Sequence, residues 1–200
     1  MRKTARNQIK VSKSERTRRH ILNNAAKQFA RHGYTGVSLD TMASSMKLTK
    51  GALYGHFKGK RDIYIQSIVW YIEQVISEKL EKGFAGENSH EKLMNYMRWL
   101  LLLMEKDNIF RQLLLRILID SDSKAAHGIA KKVFIKPFRI LVDLIKESHP
   151  GKDATEYAYS LFSIACLSKS IKKINAALSP DARQAQDIDV LLHHFRELVE

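Results

Sequence analysis

Cysteine, proline and long apolar runs are scarce in this chain of 200 residues. Its one cysteine, Cys166, can form neither an internal disulfide nor a cysteine-based zinc site, and a reducing compartment suits such a chain. The longest apolar run, residues 99–104, is far too short to span a bilayer, and no apolar stretch follows the basic N-terminus as a secretory signal would require. These absences predict a soluble, cytoplasmic protein with no membrane partner.

Acidic residues are nearly absent from the first third of the chain. Residues 1–61 contain 15 Lys and Arg but only 2 Asp and Glu, whereas residues 62–200 contain 19 of each kind. The whole formal charge of +13 therefore lies in the first third. A uniformly basic protein would spread this excess along its length, so the distribution predicts a nucleic-acid-binding segment attached to a neutral second domain.

Prolines and glycines are also few, with 3 and 9 in the chain. Apolar residues recur at intervals of three and four rather than two, which predicts an all-α protein, and the 44% apolar composition is enough to bury a core. Pro137 should kink or split the helix in which it lies. The predicted helices cover residues 15–31, two short segments that begin after the N-caps Ser38 and Thr49, and residues 62–80, 90–106, 109–120, 124–147, 154–178 and 181–199.

Two short helices separated by about three residues predict a helix-turn-helix, although this spacing alone is a weak signal. The surrounding sequence, residues 17–64, is more specific. It contains Phe-Ala-x-x-Gly-Tyr at residues 29–34, a helix that begins after a serine, and Lys-Gly-x-Leu-Tyr-x-His-Phe-x-x-Lys at residues 50–60. This combination resembles the DNA-binding domain of TetR-family transcriptional regulators. The resemblance implies a helix-turn-helix DNA-binding domain at 15–64 and a helical ligand-binding and dimerisation domain at 65–200. The composition of residues 1–14 predicts a basic flexible arm before them.

The predicted DNA-binding residues follow from how a recognition helix enters the major groove. Its N-terminal face must be small and polar so that the backbone can approach the base edges. The residues expected to face the bases are Thr49, Lys50, Gly51 and Ala52. Those expected to contact the sugar–phosphate backbone, through polar side chains or helix N-termini, are Ser38, Tyr54, His56 and Lys60. Tyr54 has an alternative role, since its ring could instead pack between the first and third helices.

Two positions depart from the family pattern. Lys47 occupies the turn where a glycine is usual, so the turn either keeps a left-handed residue at a cost of about 1 kcal/mol or bends differently. Gly55 replaces an aromatic residue that often touches the DNA backbone. The lost affinity could come from the arm, residues 1–14, which carries five cations and no acid and could follow phosphates or enter the minor groove. A solvated tail that only aids solubility is the alternative.

For residues 65–200 the resemblance implies an effector pocket and a dimer surface, whereas the periodicity alone indicates only a core. The pocket candidates are Trp99, Leu103, Phe110, Phe134, Phe138 and Phe162. An anionic effector would add Arg98, Arg111 and Arg116, for which surface charge is the alternative. The dimer surface is predicted on the last two helices, at Tyr157, Leu161, Ile164, Leu167, Ser168, Ile188, Leu191, Leu192 and Phe195, although burial within one protomer explains the same stripes.

The sequence contains no evident nucleophile–base pair, metal-ligand cluster or glycine-rich phosphate loop, so no enzymatic activity, metal or cofactor is predicted. The resemblance instead implies a homodimeric repressor that binds a palindromic operator in double-stranded DNA and leaves it when a small-molecule effector binds. A DNA-binding protein without sequence preference and a membrane-surface protein are the alternatives that the basic charge permits.

Overall fold

The computed structural model describes residues 12–120, 123–171 and 187–199. Within these ranges the chain forms ten α-helices and no strand, which confirms the all-α prediction. The predicted arm, apart from residues 12–14, and the predicted helical residues 172–178 and 181–186 lie outside the described ranges. The helices are α1 (Lys13–Gly36), α2 (Leu39–Ser45), α3 (Lys50–Tyr54), α4 (Lys60–Lys82), α5 (Ser89–Lys106), α6 (Asn108–Asp120), α7 (Ser123–Val133), α8 (Ile135–Ser148), α9 (Ala154–Ser168) and α10 (Ile188–Val199).

The first three helices form the predicted arrangement around α1. The apolar residues of α1 fall on one buried stripe, and Gly33, with φ 70°, interrupts the helical backbone at the predicted stop signal. Ser38 and Thr49 are the N-caps of α2 and α3, as predicted, and each side chain accepts a hydrogen bond from a backbone N–H of the first turn. Local capping therefore fixes where both short helices begin.

The remaining helices pack into a core that is continuous with that of α1. Helix α1 lies against α4 and α6, and α5 lies against α8, α9 and α10. The helix predicted at residues 124–147 is split at Phe134 into α7 and α8, because Pro137 has no N–H to donate to the carbonyl of Val133. No helix in the described part of the chain combines the length and apolar character that a membrane span requires.

Candidate DNA-binding interface

The turn between α2 and α3 keeps a left-handed residue. Lys47 has φ 56°, the only positive φ at a non-glycine residue within the described ranges. The Lys47 N–H donates to the Ser44 carbonyl at 3.0 Å, and the Leu48 N–H donates to the Ala43 carbonyl at 2.9 Å. The turn therefore has the conformation usual with glycine and does not bend differently, and Lys47 carries about 1 kcal/mol of backbone strain.

The N-terminal face of α3 is small and open to solvent. The Thr49 hydroxyl accepts a hydrogen bond from the Ala52 N–H at 3.2 Å, which caps the helix. A Cβ added at Gly51 would meet only this hydroxyl, at 3.8 Å, so the glycine is not needed to avoid a clash within the protein. Because it has no side chain, Gly51 leaves the outward face of α3 without a protruding group. Of the four residues predicted to face the bases, Ala52 is half-buried and the other three are exposed: Thr49, Lys50 and Gly51.

Lys50 has an acidic partner on α2. Its ammonium donates to the Asp40 carboxylate at 2.9 Å, and this hydrogen bond, together with the charge of Asp40, raises the pKa of Lys50. Both side chains are exposed, so the pair contributes little to stability. A DNA group that approaches Lys50 would compete with Asp40 for its ammonium. The sequence prediction missed Asp40 because the contact joins different helices, ten residues apart.

Adjacent residues of α3 have opposite environments. Leu53 is fully buried and Phe57, in the following turn, is also buried, whereas 52% of Tyr54 is exposed. Tyr54 therefore does not pack between α1 and α3, which was the alternative to a role in DNA contact. Its ring lies on the protein surface, where the hydroxyl can reach a phosphate.

The other three residues predicted to contact the DNA backbone differ in exposure and contacts. The exposed Ser38 hydroxyl accepts from the Asp40 N–H at 3.2 Å. His56 is half-buried. The Lys60 ammonium lies 4.6 Å from the centroid of the Tyr34 ring, which is a cation–π distance. Lys60 is therefore positioned against the end of α1, and a contact between Lys60 and a phosphate would require its side chain to reach past Tyr34.

Helix α2 presents two exposed polar residues that the sequence prediction omitted. Thr41 and Ser44 lie one turn apart, on the side of α2 away from the buried Met42 and Ala43. Their spacing of three between buried apolar positions is the signal that could have identified them. Both hydroxyls are suited to phosphate contacts beside α3.

A hydrogen-bond network connects the loop after α3 to α4. The Asp62 carboxylate accepts from the Lys58 N–H at 2.9 Å and from the Gln66 amide at 2.6 Å. Burial opposes ionisation of Asp62, but these two hydrogen bonds outweigh it and lower the pKa of its carboxyl. Arg18 of α1 donates to Gln66 and lies 5.4 Å from the centroid of the Phe57 ring. The loop after α3 is thus tied to both α1 and α4.

Most of the predicted effector-pocket residues meet at a cavity that is too small for a ligand. Five of the six line one apolar cavity of about 10 Å³, which is at the lower limit for a single water molecule. Cys166 lines the same cavity, and burial raises the pKa of its thiol to about 12. The sixth, Phe138, does not line this cavity and lies in an open groove instead. The five that share the cavity are Trp99, Leu103, Phe110, Phe134 and Phe162.

The three arginines considered for an anionic effector all have protein partners. Arg98 pairs with Asp189 of α10 at 2.9 Å. Arg111 donates to the Asn108 side chain at 2.6 Å and to the Met104 carbonyl. Arg116 of α6 donates to the Ala30 carbonyl of α1 at 3.5 Å. Their contacts support structural roles, and that of Arg116 joins α6 to α1.

The predicted dimer residues divide between the protein core and its surface. Leu161, Leu192 and Phe195 are buried within the protomer, so the alternative of burial is correct for these three. Ile164 and Leu167 of α9 are 39% and 38% exposed. The others, Tyr157, Ser168, Ile188 and Leu191, are half-buried. On α9, the predicted apolar residues therefore divide between the core, at Leu161, and the protein surface, at Ile164 and Leu167.

Comparison with known proteins agrees with this interface. The family described as "Bacterial regulatory proteins, tetR family" matches residues 21–66, which run from α1 into α4. The HTH-type transcriptional regulator AcrR of Shigella flexneri is 32% identical over 74 residues, 37% of this chain and 34% of AcrR. The biofilm operon icaADBC HTH-type negative transcriptional regulator IcaR of Staphylococcus aureus is 44% identical over 48 residues, 24% of this chain and 26% of IcaR. The matched segments thus span about a third and a quarter of these relatives.

Solved structures extend the likeness to the whole fold. The crystal structure of AibR in complex with isovaleryl coenzyme A and operator DNA has a TM-score of 0.65 at 22% identity, over 86% of this chain and 95% of AibR. At that identity the likeness concerns the fold, whereas the match at residues 21–66 concerns the sequence of the DNA-binding helices. Residues 21–66 are therefore similar in sequence to the N-terminal segment of the tetR family of bacterial regulatory proteins.

Proposed function

We propose that this protein is a cytoplasmic, homodimeric transcriptional repressor that binds a palindromic operator and leaves it when a small molecule binds the C-terminal helices. The observation that carries the proposal is the open N-terminal face of α3, presented by a capped helix-turn-helix in the most basic part of the chain. The negative regulator IcaR and the operator-bound AibR support the sign of regulation and the kind of partner.

The residues divide into two roles under this proposal. Thr49, Lys50, Gly51 and Ala52 face the bases, because they form the small face of α3. Ser38, Tyr54, His56 and Lys60 contact phosphates and orient the helix, together with Thr41 and Ser44 of α2. Only the first group would change which sequence is preferred.

Dimerisation supplies the length of the recognised site. One helix-turn-helix reads only a few base pairs, and a twofold dimer places two recognition helices in successive major grooves of a palindrome. The exposed apolar residues of α9, Ile164 and Leu167, support a dimer surface on this helix.

Effector binding would act through the contacts that join α1 to the C-terminal helices. The Tyr64 hydroxyl of α4 donates to the Arg116 carbonyl of α6 at 3.3 Å, and the Arg116 side chain donates to the Ala30 carbonyl of α1 at 3.5 Å. A ligand that favours a different position of α4 or α6 would change the separation of the two recognition helices in the dimer, and thereby release the DNA.

The decisive experiment is selection of bound sequences from a random DNA pool, followed by measurement of affinity for the selected site and for unrelated DNA. A specific repressor should select a palindrome and prefer it by roughly a thousandfold or more. Similar affinity for all sequences would contradict the proposal and favour a DNA-binding protein without sequence preference. Placing the selected site between a promoter and a reporter gene then tests repression.

A further inference from the structure

An open groove lies beside the closed apolar cavity, between α7, α8 and α9. It has a volume of about 520 Å³, which is in the range of small-molecule sites. We call it the aromatic groove, after the four rings that line it: Phe134, Phe138, Tyr159 and Phe162.

The four rings form a connected series along the groove. The Tyr159 and Phe138 centroids are 4.8 Å apart, those of Phe138 and Phe162 are 6.1 Å apart, and those of Phe162 and Phe134 are 6.0 Å apart. Tyr159 is 63% exposed, although it lies among apolar groups. A ligand with a flat ring or an acyl chain could therefore cover apolar surface that now faces water.

The aromatic groove also adjoins the core. Phe134 and Phe162 line both the groove and the closed cavity. Phe134 is the single residue between α7 and α8, three residues before the buried Pro137. A ligand in the groove would thus press on two side chains whose other sides contact the core, and on the junction of two helices.

The side chains at the edge of the groove favour a ligand of one charge. Lys131 and His127 of α7 line it, and no carboxylate does. The Lys131 ammonium forms no hydrogen bond or ion pair with any residue in the described ranges. Aromatic rings can also hold a quaternary ammonium, but a lysine at the edge and the lack of a carboxylate disfavour a cation here.

We propose that the aromatic groove binds an amphipathic organic anion, whose ring or acyl chain lies among the four aromatic side chains and whose acidic group pairs with Lys131. This inference rests on the proposed function insofar as the anion would be the effector. It deepens that function by giving the effector a place and a chemical class. The closed cavity, to which five of the predicted pocket residues belong, is too small for that role in this conformation.

Direct dye binding to the full chain, without DNA, tests the proposal. The probes are 1-anilinonaphthalene-8-sulfonate, an aromatic anion, and N-phenyl-1-naphthylamine, which has the same ring system without the sulfonate. The first variant is Lys131→Gln. Its matched control is Lys132→Gln, because Lys132 is adjacent in sequence but lies beside Arg18 and Trp70 on another surface.

We expect the anionic dye to bind saturably and about tenfold more weakly to Lys131→Gln, the loss typical of one charge-assisted hydrogen bond. Lys132→Gln should bind it as the unchanged protein does, and neither substitution should alter the affinity of the neutral dye. Equal losses in the two lysine variants, or displacement of the dye by choline, would overturn the assignment to an anion.

Two further variants locate the site. Ala130→Trp would fill the groove from α7 and should abolish binding of both dyes. If that variant fails to fold, as judged by circular dichroism, Tyr159→Ser at an exposed position removes one ring without opening the core and should weaken both dyes. Unchanged dye affinity in the folded variants would place the dye elsewhere and overturn the proposal.

The remaining occupant to consider is a second copy of this chain. If the dyes fail to bind while Ala130→Trp or Tyr159→Ser weakens dimerisation in sedimentation experiments, the groove is covered by the partner protomer and the proposal is wrong. Because the dye experiment contains no DNA, its failure would not contradict the proposed binding to an operator. Conversely, a chain without operator preference would contradict the proposed repressor and leave the dye result unaffected.

Discussion

Tyr54 and Ala52 lie two residues apart on α3 but have different proposed roles. Tyr54 is half-exposed at the C-terminal end of the helix, whereas Ala52 lies in its first turn, where its N–H is held by the Thr49 cap. A hydroxyl that contacts a phosphate contributes to binding of any sequence. A side chain that contacts a base edge contributes only at one base pair.

Tyr54→Ala should therefore weaken binding to the operator and to unrelated DNA alike, by about tenfold, which is the loss of one hydrogen bond to a charged group. Thermal stability should hardly change, because the ring is outside the core. Fluorescence anisotropy with the selected operator and with a scrambled duplex measures both affinities.

Ala52→Ser provides the comparison, since it adds only one oxygen to the small face of α3. Its binding loss should differ among operator variants with single base changes, because a new hydroxyl favours some base edges over others. If Ala52→Ser and Tyr54→Ala alter sequence preference to the same extent, the division between base-facing and phosphate-contacting residues is wrong.

Single residues also show which features could be predicted from the sequence and which could not. The caps Ser38 and Thr49 and the break at Gly33 could be predicted because each depends on residues within one turn. The pair between Asp40 and Lys50 could not, because it depends on how two helices are placed. The interior positions of Leu161 and other apolar helical residues were likewise ambiguous, since periodicity gives a stripe but not the partner that covers it.

At the scale of elements, the turn between α2 and α3 contains a strained residue next to the proposed recognition helix. Lys47 has φ 56° and is exposed, so its backbone is fixed by the hydrogen bonds of the turn rather than by packing of its side chain. A glycine there would have the same conformation without the clash between Cβ and the carbonyl oxygen.

Lys47→Gly should raise the free energy of unfolding by about 1 kcal/mol, which corresponds to a rise in Tm of about 2–4 °C for a chain of this size. Lys47→Ala is the matched control, since it removes the same charge but keeps the Cβ. Differential scanning calorimetry should show stabilisation only in the glycine variant. Equal Tm values for the two variants would mean that the charge, not the backbone, determines the effect of Lys47.

The break between α7 and α8 depends partly on local chemistry and partly on the packing of neighbouring helices. Pro137 predicts an interruption, because the carbonyl four residues earlier loses its donor. The position of Phe134 between a closed cavity and an open groove depends instead on the packing of α5 and α9 around it. The aromatic residues of the second domain could therefore be predicted as apolar lining, but not assigned to one space or the other.

At the scale of the whole molecule, α9 has the properties of a helix that is covered on both sides. Residues 157–168 contain no charged side chain, yet five of these twelve residues are exposed in the protomer. Ser160, Ile164 and Leu167 follow one another at helical spacing on this outer side. An uncharged outer face on a helix whose other face is already buried is typical of a protein–protein interface.

Leu167→Glu should therefore disrupt the proposed dimer while the protomer stays folded, because this side chain is 38% exposed in the protomer but would be covered in that dimer. A charge buried without a partner costs about 2–5 kcal/mol at an interface, and the twofold axis would place two such charges there. Sedimentation velocity at micromolar concentration should show a monomer. Operator affinity should fall to that of a half-site, since the two recognition helices would no longer bind as one unit.

Thr155→Glu is the control for this variant, because it adds the same charge to an exposed residue of α9 that lies off the stripe of Ser160, Ile164 and Leu167. It should remain a dimer with full operator affinity. A Leu167→Glu protein that is still dimeric at micromolar concentration would exclude this face of α9 as the dimer surface. If it became monomeric but kept its full operator affinity, two independent helix-turn-helix units would suffice for recognition, and the palindromic dimer would no longer explain specificity.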